Sequence, residues 1–405
     1  MSIQTQTLKK IPPGIWVLGF VSMLMDISSE LIHSLLPVFM VTSLGLSVFV
    51  VGLIEGAAEA TALIVKVFSG TVSDYFGRRK PLAVLGYSLG ALSKPLFALA
   101  TTVDAVVGAR LLDRVGKGIR GAPRDALVAD IAPAELRGAA FGLRQSLDTV
   151  GAFVGPLLAM ALMVLWANDF RAVFWFATLP AFLCVALLIF GVHEPVRPAG
   201  IARTNPISRV NLARLSRSYW WVVALGGVFT LARFSEAFLV LRAQEGGLAL
   251  AWTPVVLVAM NVIYAACAYP FGKLADSMRH STLLGWGLVL LIGADSLLAV
   301  SNSGGWFWAG VALWGLHMAM TQGLLATMVA DTAPANLRGT AFGFFNLVCG
   351  LAMLVASGFA GWLWDQWGAP HTFMAGICFC LLALGLLWCR PASGIAGPGA
   401  SSGTP

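Results

Sequence analysis

The chain has 405 residues, of which 58% are hydrophobic and only 11% are charged, and its formal net charge is +7. Its mean hydropathy is +0.82. Soluble domains average roughly 45–50% apolar and about 25% charged residues, so an ordinary soluble domain is excluded. The excess of basic residues does not indicate nucleic-acid binding. Many of these residues lie in the loops between apolar runs, where membrane proteins are enriched in Lys and Arg.

Apolar runs of the length that crosses a bilayer recur along the whole chain. A hydrocarbon core about 30 Å thick needs roughly 20 residues of helix. The first run contains Asp26 and Glu30 and has no small-residue cleavage site, so it is interpreted as a membrane helix and not as a signal peptide. The runs predict spans near 14–42, 46–69, 81–101, 103–131, 138–165, 171–192, 219–241, 250–271, 281–301, 304–331, 338–364 and 369–389.

The fourth predicted span is the most polar one. It carries a cationic stripe at helical spacing, which lowers its hydropathy: Arg110, Arg114, Lys117, Arg120 and Arg124. Its basic flanks, around 78–80 and at Arg137, are both expected in the cytoplasm, so the chain must cross the membrane twice between them.

An internal repeat divides the chain into two halves. The stretch 128–142 reads VADIAPAELRGAAFG and 329–343 reads VADTAPANLRGTAFG, with twelve of fifteen positions identical at an offset of 201 residues. We predict an N-terminal six-helix bundle (1–192), a central cytoplasmic loop (193–218), a C-terminal six-helix bundle (219–390) and a disordered tail (391–405). Basic residues concentrate in the loops on one side, which predicts that both termini are cytoplasmic.

Ionisable residues cluster inside the N-terminal spans. Asp26, Glu30 and His33 stand at i, i+4 and i+7, on one helical face. The second span adds Glu55 and Glu59, and the fifth adds Arg144 and Asp148. A charge at the bilayer centre costs roughly 2.5–3.5 kcal/mol, so these groups must face water or each other. Two interpretations stay open: a structural ion-pair network, or a site that binds and releases protons.

The C-terminal half does not repeat this pattern. The stretch that matches the fourth span has no arginine, and Cys349 stands where the repeat places Asp148. Candidate cavity residues in this half are Glu236, Asn261, His317 and Gln322. The six cysteines all fall within or at the edge of apolar spans and form neither a disulfide framework nor a metal-ligand pattern.

Three motifs resemble those of the major facilitator superfamily. The segment from Gly70 to Lys80, GTVSDYFGRRK, resembles its loop signature, and a degraded copy begins at Gly272. Arg114-Val-Gly-Lys117-Gly118 resembles its fourth-helix motif, with lysine in place of the usual glutamine. The stretch GAFVGPLLA from Gly151 resembles its antiporter motif.

The resemblance implies an all-α membrane protein with twelve transmembrane helices in two pseudo-symmetric bundles. It also assigns gating roles to five residues, Gly70, Asp74, Arg78, Gly272 and Asp276, and helix-packing roles to three, Gly151, Gly155 and Pro156. The expected partners are a small-molecule substrate, protons and the lipid bilayer of a bacterial inner membrane, with no nucleic acid and a monomeric state.

The function expected from these features is proton-coupled efflux of a small organic solute or drug. Glu30, with Asp26 beside it and Arg114 controlling its proton affinity, is the first candidate for proton coupling, followed by Asp148 and Glu59. The substrate cavity is expected to include His33, Glu55, Arg110, Lys117, Arg144, Glu236, Asn261, His317 and Gln322.

Two other substrate classes stay open. Asp26, Glu30 and His33 could bind a divalent metal or a metal chelate, and the arginines could take up an anionic solute together with protons. No cofactor or resident metal is expected. The chain shows no zinc-protease or nucleophile-elbow pattern, so an enzyme is not expected either.

The topology can be tested by cysteine labelling. In a variant without the six native cysteines, a cysteine at Asn205 should react only from the cytoplasm and one at Asn168 only from outside. Reaction of position 205 from outside would contradict the predicted orientation.

Overall fold

The structure, a computed structural model, describes residues 11–76, 78–133, 136–194, 214–321, 323–334 and 337–389. Throughout these ranges the regular elements are helices, with no strand. The predicted all-α architecture is therefore confirmed. The central loop from 195 to 213 and the tail from 390 lie outside the described residues.

Seven helices make up the first six predicted spans, and eight helices together with a short 3₁₀ turn make up the other six. The first set is α1 Pro13–His33, α2 Leu36–Thr42, α3 Val48–Phe76, α4 Lys80–Leu99, α5 Val103–Ile131, α6 Arg137–Leu165 and α7 Phe170–Gly191. The second set is α8 Arg217–Ala232, α9 Ala237–Glu245, a 3₁₀ turn Leu250–Trp252, α10 Val255–Ser277, α11 His280–Val300, α12 Gly304–Thr321, α13 Leu324–Thr332, α14 Arg338–Trp367 and α15 Ala369–Trp388.

Ten of the described helical segments are long and apolar enough to cross a membrane. The two predicted spans outside this set are α5, which carries the cationic stripe, and the tenth span, which is divided between α12 and α13. Both are helical at the predicted positions.

Three spans are interrupted where the sequence analysis predicts continuous helices. The first breaks between His33 and Leu36, where Pro37 occupies the first turn of α2. A proline is accepted there because the backbone N–H groups in the first turn of a helix have no intrahelical acceptor, so the N–H that proline lacks is not missed. The seventh span breaks at 233–236, and the tenth breaks at Gly323, whose φ of +84° is left-handed.

Packing divides the helices into two units. Unit 1 contains the described residues up to Leu46, those from Ala57 to 194, and Ala249–Val258. Unit 2 contains Ser47–Gly56, the described residues from 214 to Leu248, and those from Ala259 to 389. The units thus follow the two halves of the repeat, except that two short segments are exchanged.

In unit 2, the start of α3 is held by the end of α14. The Asp365 carboxylate accepts hydrogen bonds from the backbone N–H groups of Val48 and Phe49 at 3.0 and 2.9 Å. An acidic group at this position satisfies free N–H groups and complements the positive end of the helix dipole.

In unit 1, two glycines bring α6 against α1 beside the predicted proton-coupling residues. A methyl group on Gly151 would stand 2.5 Å from the Met23 carbonyl oxygen and 3.0 Å from Cβ of Asp26. One on Gly155 would stand 2.6 Å from Cβ of Glu30. Small residues of this kind allow membrane helices to approach closely.

Replacement of Gly155 by alanine tests this contact. Overpacking of a close interface costs about 1–3 kcal/mol, so Gly155→Ala should lower the thermal unfolding temperature of the purified protein. Gly142→Ala is the control on the same helix, because a methyl group at Gly142 meets nothing within 4 Å. Equal unfolding temperatures for the two variants would show that the α1–α6 contact is looser than described.

Candidate functional site

A buried lysine anchors the ionisable cluster of unit 1. Lys94, on α4, is fully buried, and its Nζ donates to Asp113 Oδ1 at 2.7 Å and to Ser29 Oγ at 3.1 Å. The Asp113 side chain, on α5, is 2% exposed. This ion pair therefore ties α1, α4 and α5 together, and each charge has a partner that offsets its burial.

The same aspartate extends the cluster toward the first-helix face. Asp113 Oδ2 lies 3.2 Å from His33 Nε2, and His33 Nδ1 lies 3.9 Å from Glu30 Oε1. Arg114 completes the connection, since its guanidinium lies 3.4 Å from His33 Nδ1 and 3.1 Å from Glu59 Oε1. Of the five residues predicted for proton coupling, Glu30, Arg114 and Glu59 meet in this group.

The other two predicted proton-coupling residues meet one another on the opposite side of Glu30. The carboxyl groups of Asp26 and Asp148 are neighbours at the contact of α1 with α6, and each acts electrostatically on the other. Two guanidinium groups approach Asp148, Arg124 at 3.8 Å and Arg144 at 3.6 Å. Both also lie near Asp125, at 3.1 and 4.0 Å respectively.

A polar layer positions one of these arginines. Arg124 NH1 donates to Ser22 Oγ at 3.3 Å, and this oxygen lies 3.4 Å from the Tyr87 hydroxyl. Arg120 lies over the Tyr87 ring, 4.8 Å from its centre, within the range of a cation–π contact. The cationic stripe of α5 therefore meets aromatic and hydroxyl groups as well as carboxylates.

Three acids of this cluster are more exposed than three of its arginines, whereas Asp113 is as buried as the arginines. The Glu30, Asp148 and Glu59 side chains are 28%, 20% and 34% exposed. The Arg110, Arg114 and Arg144 residues are 2%, 3% and 7% exposed. Lys117 is the exposed cation of the stripe. The accessible groups of the cluster are thus Lys117 and the partly exposed carboxylates of Glu30, Glu59 and Asp148, whereas most of its guanidinium groups are buried.

A second ion pair occurs in both halves of the repeat. Arg79 NH1, at the start of α4, contacts Asp130 Oδ2 at 2.7 Å, and His280 Nδ1, at the start of α11, lies 3.5 Å from Asp331 Oδ2. At the repeat offset of 201 residues, Arg79 corresponds to His280 and Asp130 corresponds to Asp331. These pairs connect the ends of consecutive spans beside the predicted gate loops.

The gate residues themselves are only partly described. Arg78 is exposed, just before α4. The backbones of Gly70, Asp74, Gly272 and Asp276 are helical. The side chains of the two aspartates lie outside the described part of the structure. Their gating role stays a prediction.

Three of the four predicted cavity residues of the C-terminal half lie within the described residues, and their role in a cavity stays a prediction. Glu236 lies 3.7 Å from Arg233, and Asn261 is half-buried on α10. His317 is fully buried, with Nδ1 2.8 Å from the Gly287 carbonyl oxygen. Gln322 lies outside the described residues. Glu55, expected beside Glu59, belongs to the exchanged segment that packs in unit 2, where it is buried.

The sequence analysis missed Lys94. Its signal was a single lysine within the third apolar run, which a hydropathy window averages away. A search for isolated charges inside predicted spans would have found it, because such residues are seldom placed there without a partner.

The first-helix residues proposed as metal ligands do not converge. Within the described ranges, no group of three or more histidine, cysteine, aspartate or glutamate side chains could hold a metal ion. His33 pairs with Asp113 on α5, whereas Asp26 lies beside Asp148 on α6.

Removal of the lysine charge tests whether this network stabilises unit 1. Breaking a buried pair costs about 3–5 kcal/mol, so Lys94→Met should lower the thermal unfolding temperature strongly, and adding Asp113→Leu should restore much of the loss. Lys66→Met, at an exposed lysine on α3, is the control. A Lys94→Met protein as stable as the Lys66→Met protein would contradict the buried ion pair.

Comparison with known proteins identifies the family. The sequence profile of the Major Facilitator Superfamily matches residues 18–357. The chain is 33% identical, over 94% of its length and 95% of the relative's, to the uncharacterized MFS-type transporter MJ1317 of Methanocaldococcus jannaschii. It is 27% identical, over 87% of each chain, to the multidrug resistance protein MdtH of Photorhabdus laumondii. The crystal structure of a POT family transporter in complex with a thioalcohol-conjugated peptide shares the fold, with a TM-score of 0.77 at 13% identity over 95% of this chain and 98% of that one. This chain belongs to the major facilitator superfamily of membrane transporters.

Proposed function

We propose that this transporter exports a small organic solute in exchange for protons, and that Asp26 and Asp148 together bind the coupling proton. The observation that carries the proposal is the pair of neighbouring carboxyl groups at the α1–α6 contact. Two carboxylates this close in a poorly hydrated site do not both ionise easily, so the pair binds and releases one proton as a unit.

The pair is better suited to this role than Glu30. Glu30 has His33 at 3.9 Å and the cations Lys117 and Arg114 nearby, which compensate its ionised form. The strongest charged neighbour of Asp26 is the Asp148 carboxyl group, with Arg120 and Lys117 acting on it more weakly. A proton carrier must change its charge during the cycle. A second carboxylate nearby disfavours the ionised form of an acid, so the acid that has an acid as its neighbour binds a proton more readily.

The two arginines near Asp148 give a way to transmit the protonation state. Arg124 and Arg144 each lie between Asp148 and Asp125. When the pair loses its proton, its negative charge draws both guanidinium groups toward Asp148. When the proton returns, Asp125 competes for them more effectively. Each proton would therefore change the contacts between α5 and α6 beside α1.

The direction of transport rests on two supports. The multidrug resistance proteins of the MdtH type match the chain over most of its length, at 26–27% identity in the three species compared. The glycines of the antiporter-like motif also pack where that motif would matter, against Asp26 and Glu30 on α1. We place the protein in a bacterial inner membrane with both termini in the cytoplasm.

The two alternative substrate classes have less support. The arginines Arg110, Arg114 and Arg144 are buried and Lys117 is the exposed cation, whereas an anionic substrate needs accessible arginines. A divalent metal would meet the cationic stripe of α5, and its proposed ligands point to different partners.

Transport assays on inside-out vesicles test the proposal. With an acidic lumen and a panel of lipophilic dyes, wild-type protein should accumulate dye in the lumen. Asp26→Asn and Asp148→Asn should abolish this proton-driven accumulation but preserve dye exchange without a gradient, because asparagine resembles a protonated aspartate. Asp104→Asn, at an exposed aspartate in the first turn of α5, is the control for the same chemical change.

The outcome also separates the candidates for the proton site. Glu30→Gln should keep proton-driven accumulation, although its rate can change. If both aspartate variants accumulate dye with an unaltered pH profile and Glu30→Gln does not, the proton is carried by Glu30. If no variant affects accumulation, the cluster is a structural ion-pair network.

A further inference from the structure

A fully buried acid lies in unit 2, far along the chain from the ionisable cluster of unit 1. Asp295, on α11, has no exposed surface, and neither of its carboxylate oxygens has a hydrogen-bond partner in the described structure. On α15, Gly376 leaves the space that the carboxyl group fills, since a methyl group there would overlap with Asp295 Oδ2. The carboxyl group is therefore fully buried and packed closely against α15.

The surroundings of Asp295 are apolar. Phe234 reaches the same point beside Gly376, and the rings of Trp314 and Phe373 pack on Phe234 with centres 5.5 and 5.7 Å apart. Cys380 on α15 is the titratable neighbour, and among the described residues no charged group acts on the carboxyl group. The Trp314 indole N–H is itself buried and has no acceptor.

The internal repeat shows how unusual this arrangement is. The offset of 201 residues places Asp295 at the position of Lys94, and Trp314 at the position of Asp113. In unit 1 these positions hold a lysine and an aspartate in contact at 2.7 Å. In unit 2 the first position holds an acid and the second an indole, so the buried charge has lost its counter-ion.

A third position also changes from an ionisable residue in unit 1 to an aromatic one in unit 2. The offset relates His33, which contacts Asp113, to Phe234, which packs on Trp314. The two ionisable neighbours in unit 1, His33 and Asp113, thus correspond to the aromatic residues Phe234 and Trp314 in unit 2. An ionised carboxylate without a partner in such a place costs several kcal/mol, whereas a neutral carboxylic acid costs far less.

We propose that Asp295 is a proton-binding site of unit 2, at which a bound proton replaces the ion pair that stabilises the equivalent place in unit 1. The proton neutralises the carboxyl group in the folded protein and lets α11 pack against α15 and against the aromatic rings. This site is independent of the Asp26–Asp148 pair and of the direction of transport.

Infrared spectroscopy of the purified transporter tests the proposal directly. A protonated carboxylic acid has a C=O stretching band that ionised carboxylates lack. At neutral pH, the spectrum of the wild-type protein minus that of Asp295→Asn should contain this band. The matching spectrum for Asp104→Asn, which changes an exposed aspartate, is the control and should not contain it. Loss of a carboxylate band in Asp295→Asn, with the protonated band unchanged, would overturn the proposal.

Two further measurements keep the test decisive. Asp295→Leu, which has a similar volume and no polar group, gives the same spectral reading if the asparagine variant does not fold. The pH dependence of stability gives an independent reading. Ionisation of Asp295 is penalised in the folded state alone, so the unfolding temperature of the wild-type protein relative to Asp295→Asn should fall as the pH rises above about 4, the ordinary pKa of an aspartate in an unfolded chain. A constant difference between the two proteins across pH would contradict a bound proton.

Discussion

A charged group inside a bilayer must be paired, protonated or hydrated, and this constraint explains most of what distinguishes the two halves of the protein. Each unpaired charge at the bilayer centre costs roughly 2.5–3.5 kcal/mol. Unit 1 meets this cost by pairing. Lys94 and Asp113 bind one another in the interior, and the pair connects α1, α4 and α5. The acids that remain partly exposed, including Glu30, Glu59 and Asp148, are supported by arginines from α5 and α6.

Duplication has kept the framework while the chemistry has diverged. The ends of consecutive spans are joined by equivalent pairs in both units, Arg79 with Asp130 and His280 with Asp331. In the interior, the aromatic surroundings of Asp295 replace the polar group around Lys94. The concentration of ion pairs in unit 1 is consistent with a division of labour, with the coupling chemistry in the N-terminal half.

Much of the fold could be predicted from the sequence, because apolar length, basic loops and the internal repeat are properties of the sequence itself. Helical spacing also places Asp26 and Glu30 on one face of α1. Helical spacing could not predict which of these acids lies beside a cation and which lies beside another acid. This depends on how closely Gly151 and Gly155 allow α6 to approach α1. Glu55 and Glu59 lie one turn apart on the same helix, yet packing assigns them to different units. Lys94 and Asp295 each stand alone in an apolar run, and only the packed structure shows which has a partner.

The central proposal is that Asp26 and Asp148 together bind the coupling proton; in an exchange mechanism, binding of the exported substrate should release it. The most direct measurement is the number of protons released when a transported dye binds to the purified protein, obtained by calorimetry in buffers with different ionisation enthalpies. The account predicts proton release by the wild-type protein and by Glu30→Gln, and none by Asp148→Asn. Equal release by wild-type protein and Asp148→Asn would contradict it.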